Sequence, residues 1–218
     1  MNDSRHQVIF LGDTAVGKTS IISQYIYNTS NPDHQPTIGV DFFAKNIDIP
    51  DSNPPRTVRM QIWDTAGQER FHAIIPSYIR SSTVVVLVFD ITSLASFNSL
   101  SKWHQTVIDI ADPKVSFIVV GNKVDLEDNR EVTTEKAESY SSTIKAKYIE
   151  TSARTPINIE DLFLLIAKCP ILNDRLKEPE LPNQNKNMNR SEPEKITISS
   201  EDSALNGNKS NNSGICGC

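Results

Sequence analysis

Short apolar runs alternate along this chain with longer stretches in which apolar residues recur at a helical spacing. The strand-like runs, most of them apolar, are Gln7–Leu11, Ile47–Ile49, Val58–Ile62, Thr83–Phe89, Val115–Val120 and Lys147–Glu150. The helical spacing predicts helices at Thr19–Tyr27, Leu94–Ile110, Thr133–Ser142 and Asn158–Lys168. Strands that alternate with helices predict an α/β fold, with a mostly parallel six-stranded sheet and helices on both of its faces.

The pattern ends near Pro170. Residues 1–170 predict one folded domain, whereas residues 171–218 are rich in Asn, Ser, Glu, Lys and Pro and predict a disordered tail. The apolar run at Val84–Phe89 is too short to span a bilayer, and we expect neither a transmembrane helix nor a signal peptide. The net charge of −5 argues against nucleic acid as a partner.

The first strand is followed by a glycine-rich loop and then by a helix. Residues 12–19, GDTAVGKT, fit the phosphate-loop pattern G-x-x-x-x-G-K-[S/T]. In this context the backbone N–H groups and the positive helix end can surround a phosphate, Lys18 can reach the terminal phosphates, and the Thr19 hydroxyl can hold Mg²⁺. The predicted phosphate-binding residues of this segment are Asp13, Thr14, Ala15, Val16, Gly17, Lys18, Thr19 and Ser20.

Two later segments predict which nucleotide base the chain binds. A carboxylate at Asp125, in the run GNKVD at residues 121–125, can accept two hydrogen bonds from N1–H and the exocyclic amine of guanine, whereas adenine lacks this donor pair. The backbone N–H of Ala153 can serve the guanine O6. The predicted guanine-binding residues are Asn122, Lys123, Asp125, Ser152, Ala153 and Arg154.

Together with the phosphate loop, further motifs carry a family resemblance. The segments Ile38–Phe42, Met60–Phe71 and Phe89–Thr92, with the terminal Cys-x-Cys, resemble the Rab branch of the Ras-like small GTPases. The likeness covers about residues 6–170 and the C-terminal cysteines. The segments Arg56–Arg59 and Ile75–Thr83 look most like the Golgi-associated Rab subfamily. The resemblance implies a P-loop NTPase fold and a GTPase that alternates between GTP and GDP.

The resemblance also implies roles for residues of the reaction site. Thr19, Thr37 and Asp64 would hold Mg²⁺, the cofactor. Thr37 and Gly67 would meet the γ-phosphate, while Gln68 would orient the attacking water and Lys18 would neutralise charge. Slow intrinsic hydrolysis is expected, because no arginine is evident in cis. Loss of the γ-phosphate would release the loops around Thr37 and Gly67.

Partners are implied in the same way. Ile38, Phe42, Trp63 and Tyr78 would form an effector surface, and the alternative is that the three aromatic side chains belong to the core. The expected partners of this monomer are effectors, an exchange factor, a GTPase-activating protein, a GDP dissociation inhibitor, and a Rab escort protein with its geranylgeranyltransferase. The Rab likeness implies vesicle trafficking.

The tail predicts how the chain reaches a membrane. From Ile171 onward it contains six Lys or Arg against seven Asp or Glu, so electrostatic attraction to acidic lipid is weak. Stable anchoring needs two signals, and the ending resembles the Rab site for two geranylgeranyl groups, on Cys216 and Cys218. We therefore expect the protein at the cytoplasmic face of intracellular membranes, at the Golgi, in exchange with the cytosol.

Some residues depart from the Rab pattern. Ser30 stands where relatives usually place a phenylalanine against the guanine, which favours faster nucleotide exchange. His34 replaces an aromatic residue over the phosphates, or is a plain exposed histidine. Because of these departures and Thr14, an alternative is a GTP-binding scaffold with negligible hydrolysis, although Gln68 argues against it. A P-loop kinase is the other alternative, and the guanine-selecting residues argue against it.

Overall fold

The computed structural model describes residues 4–29, 37, 39–49, 56–65 and 75–170. Its strands are β1 (Ser4–Leu11), β2 (Val40–Ile49), β3 (Arg56–Thr65), β4 (Val84–Asp90), β5 (Ser116–Asn122) and β6 (Lys147–Thr151). Its α-helices are α1 (Lys18–Tyr27), α2 (Ile75–Ser81), α3 (Leu94–Asn98), α4 (Leu100–Ile108), α5 (Thr134–Thr143) and α6 (Ile159–Ala167), and a 3-10 helix spans Val124–Asn129.

Within these described ranges the strands form one six-stranded sheet in the order β2-β3-β1-β4-β5-β6. The pair β2 and β3 is antiparallel, and every other neighbouring pair is parallel. The predicted fold class, a mostly parallel sheet with helices, is therefore confirmed. Parallel strands place their carboxyl ends at one edge of the sheet, which is where ligands bind in folds of this kind.

Helices cover both faces of the sheet because the central strands are apolar on both sides. Strand β4 is buried along its whole length, as expected for a central parallel strand. On one face, α1 and α6 pack against side chains such as Phe10 and Val86. On the other, α2, α3, α4 and α5 pack against side chains such as Ile9 and Leu87. Alternate residues of one strand thus serve two cores.

Most predicted elements differ from the structure by a few residues at their ends, and two differ more. The single helix predicted at Leu94–Ile110 is wrong in detail, because α3 ends at Asn98 and α4 begins at Leu100. Ser99, between them, keeps a helical backbone, and its N–H still donates to the Ala95 carbonyl at 3.1 Å, so the interruption is one residue long. Strand β2 spans Val40–Ile49 instead of Ile47–Ile49. Its first half is mostly exposed, so it lacks the apolar run that predicts a buried strand.

No helix in the described part of the chain has the length and the apolar character needed to cross a membrane.

Candidate functional site

The phosphate-loop segment lies where β1 ends and α1 begins, at the carboxyl edge of the sheet. Its two motif glycines are required by close approaches. A Cβ on Gly12 would lie 2.2 Å from the carbonyl oxygen of Val88 in β4, and a Cβ on Gly17 would lie 2.2 Å from the side-chain nitrogen of Asn122. Both glycines have positive φ, 146° and 98°, and so does Ala15, at 64°. Backbone in these conformations can form a concave loop, which binds an anion when successive N–H groups point into the concave side.

Lys18 lies across this loop. Its Nζ donates hydrogen bonds to the carbonyl oxygens of Gly12 and Asp13, each at 2.8 Å. The side chain is only 5% exposed, and burial lowers the Lys18 pKa to about 8, although Asp64 and Asp13 act in the opposite direction. The loop thus holds an ammonium group at its inner side, where it can meet a phosphate.

Three oxygen-bearing side chains from separate segments meet beside Lys18. The Thr19 hydroxyl donates to Asp64 Oδ2 at 2.5 Å, and the Thr37 hydroxyl lies 2.7 Å from that of Thr19. Asp64 is fully buried near the end of β3. Two hydroxyls and a carboxylate form a set of hard oxygen donors, which is the donor chemistry that Mg²⁺ prefers. The predicted metal ligands therefore lie together, and their chemistry fits this ion.

Among the described residues, no group of three or more histidine, cysteine, aspartate or glutamate side chains is placed to hold a metal ion. The Thr19, Thr37 and Asp64 group supplies few protein ligands. That number suits Mg²⁺, which usually keeps several waters and binds substrate phosphates as well.

Asn122 joins the predicted guanine-binding segment to the phosphate loop. Its Nδ2 donates to the carbonyl oxygen of Val16 at 2.8 Å, and its Oδ1 accepts from the Thr151 hydroxyl at 3.2 Å. The side chain is buried, so both polar atoms need these partners. Asn122 therefore positions the loop and the neighbouring end of β6.

The residues after Asn122 are also fixed. Lys123 has a positive φ of 72°, and its Nζ forms an ion pair with Asp90 Oδ2 at 2.6 Å. Ser152 donates from its hydroxyl to Asp125 Oδ1 at 2.6 Å. This bond fixes the orientation of the Asp125 carboxylate, whose oxygens are the acceptors predicted to meet guanine. Ala153 is buried and Arg154 is exposed.

Sequence reasoning missed the residues that support this segment. Glu150 accepts hydrogen bonds from Arg130, Tyr148 and Thr134. Partial burial pushes the Glu150 pKa upward, but these hydrogen bonds outweigh it and hold the pKa below its usual range. Arg130 also binds Glu127 of the 3-10 helix. Asp90 was missed too, although its place at the end of a buried strand was an available signal.

A row of aromatic side chains runs along β2, β3 and α2. The ring centroids of Phe42 and Trp63 are 4.6 Å apart, and those of Trp63 and Tyr78 are 4.5 Å apart. Phe42 is 48% exposed, whereas Trp63 and Tyr78 are partly buried and pack against the core. The row therefore begins at the surface and enters the core. The prediction of an exposed surface describes Phe42, and the alternative, that the aromatic side chains belong to the core, describes part of Trp63 and Tyr78.

Several predicted site residues lie outside the described ranges. They are Ile38, Gly67, Gln68, Cys216 and Cys218, together with Ser30 and His34 of the departures from the Rab pattern. The structure brings together the remaining phosphate, metal and guanine residues at the carboxyl edge of the sheet.

A comparison with protein-family models gives a match over most of the chain. Residues 7–170 match the model described as the Ras family. The matched range begins in β1, ends after α6 and includes every described residue of the candidate site.

Proposed function

The chain belongs to the Ras family of small GTPases, and from this we propose that it is a Rab-type, membrane-anchored switch in vesicle trafficking. Ras-family domains bind GTP and GDP, generally with Mg²⁺, and hydrolyse GTP. One observation carries the proposal for this chain's own residues. The Thr19 hydroxyl, next to the buried Lys18, lies within hydrogen-bond distance of both Thr37 and Asp64, which come from distant segments.

Each part of the reaction has a residue to perform it. Lys18 neutralises negative charge on the phosphates, and Gln68, outside the described residues, orients the attacking water. Thr19, Thr37 and Asp64 would hold Mg²⁺, which supplies charge stabilisation on the phosphate oxygens when bound. Asp125, held by Ser152, selects guanine.

Switching follows from the position of Thr37. Its hydroxyl contacts Thr19 at the metal-binding group, while its neighbours in sequence lead directly to β2 and Phe42. A nucleotide whose γ-phosphate engages Thr37 and Gly67 would order both segments, and hydrolysis would release them. Effectors would then distinguish the two states at the surface formed by Ile38, Phe42, Trp63 and Tyr78.

The Rab assignment rests on the motifs and on the Cys-x-Cys at residues 216–218. Two prenyl groups on Cys216 and Cys218 would give a stable membrane anchor, which a single lipid does not provide. The proposed location is the cytoplasmic face of the Golgi. The proposed regulators are an exchange factor, a GTPase-activating protein and a GDP dissociation inhibitor, and an escort protein would present the tail for prenylation.

Single-turnover hydrolysis separates the proposed enzyme from a scaffold that only binds GTP. The full chain is loaded with GTP labelled on the γ-phosphate, and phosphate release is followed after addition of Mg²⁺. A rate constant on the order of 10⁻⁴ to 10⁻² s⁻¹ is expected. Gln68→Leu should reduce it, whereas Gln105→Leu, on the exposed side of α4, serves as the matched control. Tight GTP binding without measurable hydrolysis would favour the scaffold.

Lipid transfer tests the anchor. Incubation with the escort protein, geranylgeranyltransferase and geranylgeranyl diphosphate should add two lipid groups, counted by intact mass spectrometry. Cys216→Ser and Cys218→Ser should each leave one, and Cys169→Ser should still accept two, because Cys169 is buried. In cells, a fluorescent fusion should move from Golgi membranes to the cytosol when both terminal cysteines are replaced. Addition of no lipid would contradict the proposed anchor.

A further inference from the structure

A hydrogen bond connects the phosphate loop to a helix far away in sequence. Trp103, in α4, donates from its indole Nε1 to Asp13 Oδ1 at 2.9 Å, across 90 residues of sequence. The Trp103 side chain is 6% exposed and packs among the core residues of the sheet face that α4 covers. An indole N–H can only donate, and a buried donor without a partner is costly. The pairing therefore fixes the Asp13 carboxylate against the core.

Asp13 also holds Lys18, through its backbone carbonyl. The carbonyl oxygen of Asp13 accepts a hydrogen bond from Lys18 Nζ at 2.8 Å. The contacts thus run from the indole of Trp103 to the side chain of Asp13, and from the backbone of Asp13 to Lys18. A change at Trp103 can reach Lys18 through this one residue.

The charge of Asp13 gives the contact a second consequence. A carboxylate in a loop that surrounds phosphates repels them unless it is turned away, because like charges that are close and poorly solvated repel strongly. The bond to Trp103 turns the carboxylate toward α4. An ionised acceptor also strengthens the bond compared with a neutral pair.

We propose that Trp103 is a positioning residue for the phosphate loop, which it fixes by anchoring Asp13 so that the Asp13 carbonyl holds Lys18 and the carboxylate stays turned toward α4. The inference rests on the proposed nucleotide-binding function and adds a residue that the sequence motifs do not include. Trp103 reaches the phosphate loop through its hydrogen bond to Asp13, so we place its effect on Lys18 there.

The test is a double-mutant cycle on nucleotide release. The full chain is loaded with a fluorescent GDP, and release is followed after addition of excess unlabelled GDP. Trp103→Phe keeps an aromatic ring but removes the N–H, and it should raise the release rate constant about tenfold. In a chain that already carries Asp13→Ala, Trp103→Phe should change the rate constant less than twofold, because the acceptor is gone. Lost packing would act equally in both chains and therefore cancels.

A second measurement does not require the Trp103→Phe variant to fold. The chain contains two tryptophans, so a ¹⁵N-tryptophan-labelled sample gives two indole N–H signals in NMR, assigned with Trp63→Phe. Asp13→Ala should shift the Trp103 proton signal upfield, because loss of a hydrogen bond to a carboxylate reduces its deshielding. An unmoved Trp103 signal overturns the proposal.

The remaining outcomes are distinct. An equal acceleration by Trp103→Phe in both chains, or slow release that does not respond to it, overturns this inference alone. Failure of the natural chain to bind GDP overturns the proposed function and, with it, this inference.

Discussion

The side-chain amide of Asn122 donates a hydrogen bond to the backbone carbonyl of Val16, at 2.8 Å. This contact joins the end of β5 to the phosphate loop across 106 residues of sequence. The same side chain accepts from Thr151 at the end of β6. One buried residue thus connects the segment expected at the phosphates with both segments expected at the guanine.

Replacement of Asn122 should accelerate nucleotide release. Asn122→Ala leaves the Val16 carbonyl without its donor in a buried position, which costs about 1–3 kcal/mol. GDP release should therefore accelerate about tenfold to a hundredfold, as measured with a fluorescent GDP. Asn129→Ala, at an exposed asparagine, is the control. Release from the Asn122 variant within twofold of the natural rate would contradict the proposed connection.

A methyl group on Gly17 should abolish nucleotide binding. In Gly17→Ala the new Cβ would lie 2.2 Å from Asn122 Nδ2 on a backbone with φ of 98°, so either the Asn122 side chain gives up its bond to Val16 or the loop moves. Gly39→Ala separates this clash from backbone strain, because Gly39 has a similar φ of 89°, but no atom of the described residues lies within 4 Å of the new Cβ. It should lower the unfolding free energy by about 1–2 kcal/mol and leave GDP binding measurable by titration. Tight binding by the Gly17 variant would refute the steric argument.

The two carboxylates that bind Arg130 should contribute unequally to stability. The Glu150 side chain is 21% exposed and that of Glu127 is 62% exposed. Glu150→Gln leaves a poorly paired guanidinium in a partly buried site, and we expect a loss of about 1–3 kcal/mol in chemical denaturation. Glu127→Gln should cost less than about 0.5 kcal/mol, as is typical of surface pairs. Equal losses would show that burial does not decide the strength of these pairs.

Stability should fall with acidification because of His6. This side chain is fully buried, with Nδ1 3.1 Å from the Thr83 hydroxyl. Burial lowers the His6 pKa; the backbone of Ala167 and Cys169 acts in the opposite direction, while the nearby Arg56 adds to the lowering, and the pKa stays below its usual value. His6 in the unfolded chain therefore binds a proton more readily than His6 in the folded chain. The stability that neutral His6 contributes to the folded state is complete above about pH 6.5 and is lost as the pH falls through the folded pKa.

Thermal unfolding between pH 8 and pH 5 tests this sign. One proton changes the unfolding free energy by at most about 1.4 kcal/mol per pH unit. His6→Asn keeps a polar group near Thr83 but does not titrate, so its unfolding free energy should depend less on pH in this range. An identical pH dependence in both chains would rule out His6 as the source.

Contiguous segments were predicted best. The phosphate loop is a strand, a loop and a helix in immediate succession, so residues 7–27 contain all the information needed to recognise it. Strand β4 was also found almost completely, because burial on both faces makes every residue apolar. Strand β2 was found only in part, since its exposed first half shows no such run. The interruption between α3 and α4 is the single residue Ser99, which keeps a helical backbone, so apolar spacing does not reveal it.

The sequence by itself determined the fold class, the identity of the phosphate loop and the residue types suited to guanine, because local periodicity and short motifs record which backbone and side-chain chemistry is present. Only the tertiary structure decided which of these groups meet. Thr19 and Asp64 are in contact across 45 residues, and Asp13 and Trp103 across 90. The physical reason is that parallel strands gather their carboxyl ends at one edge, so contacts there depend on strand order and register, which no local pattern contains.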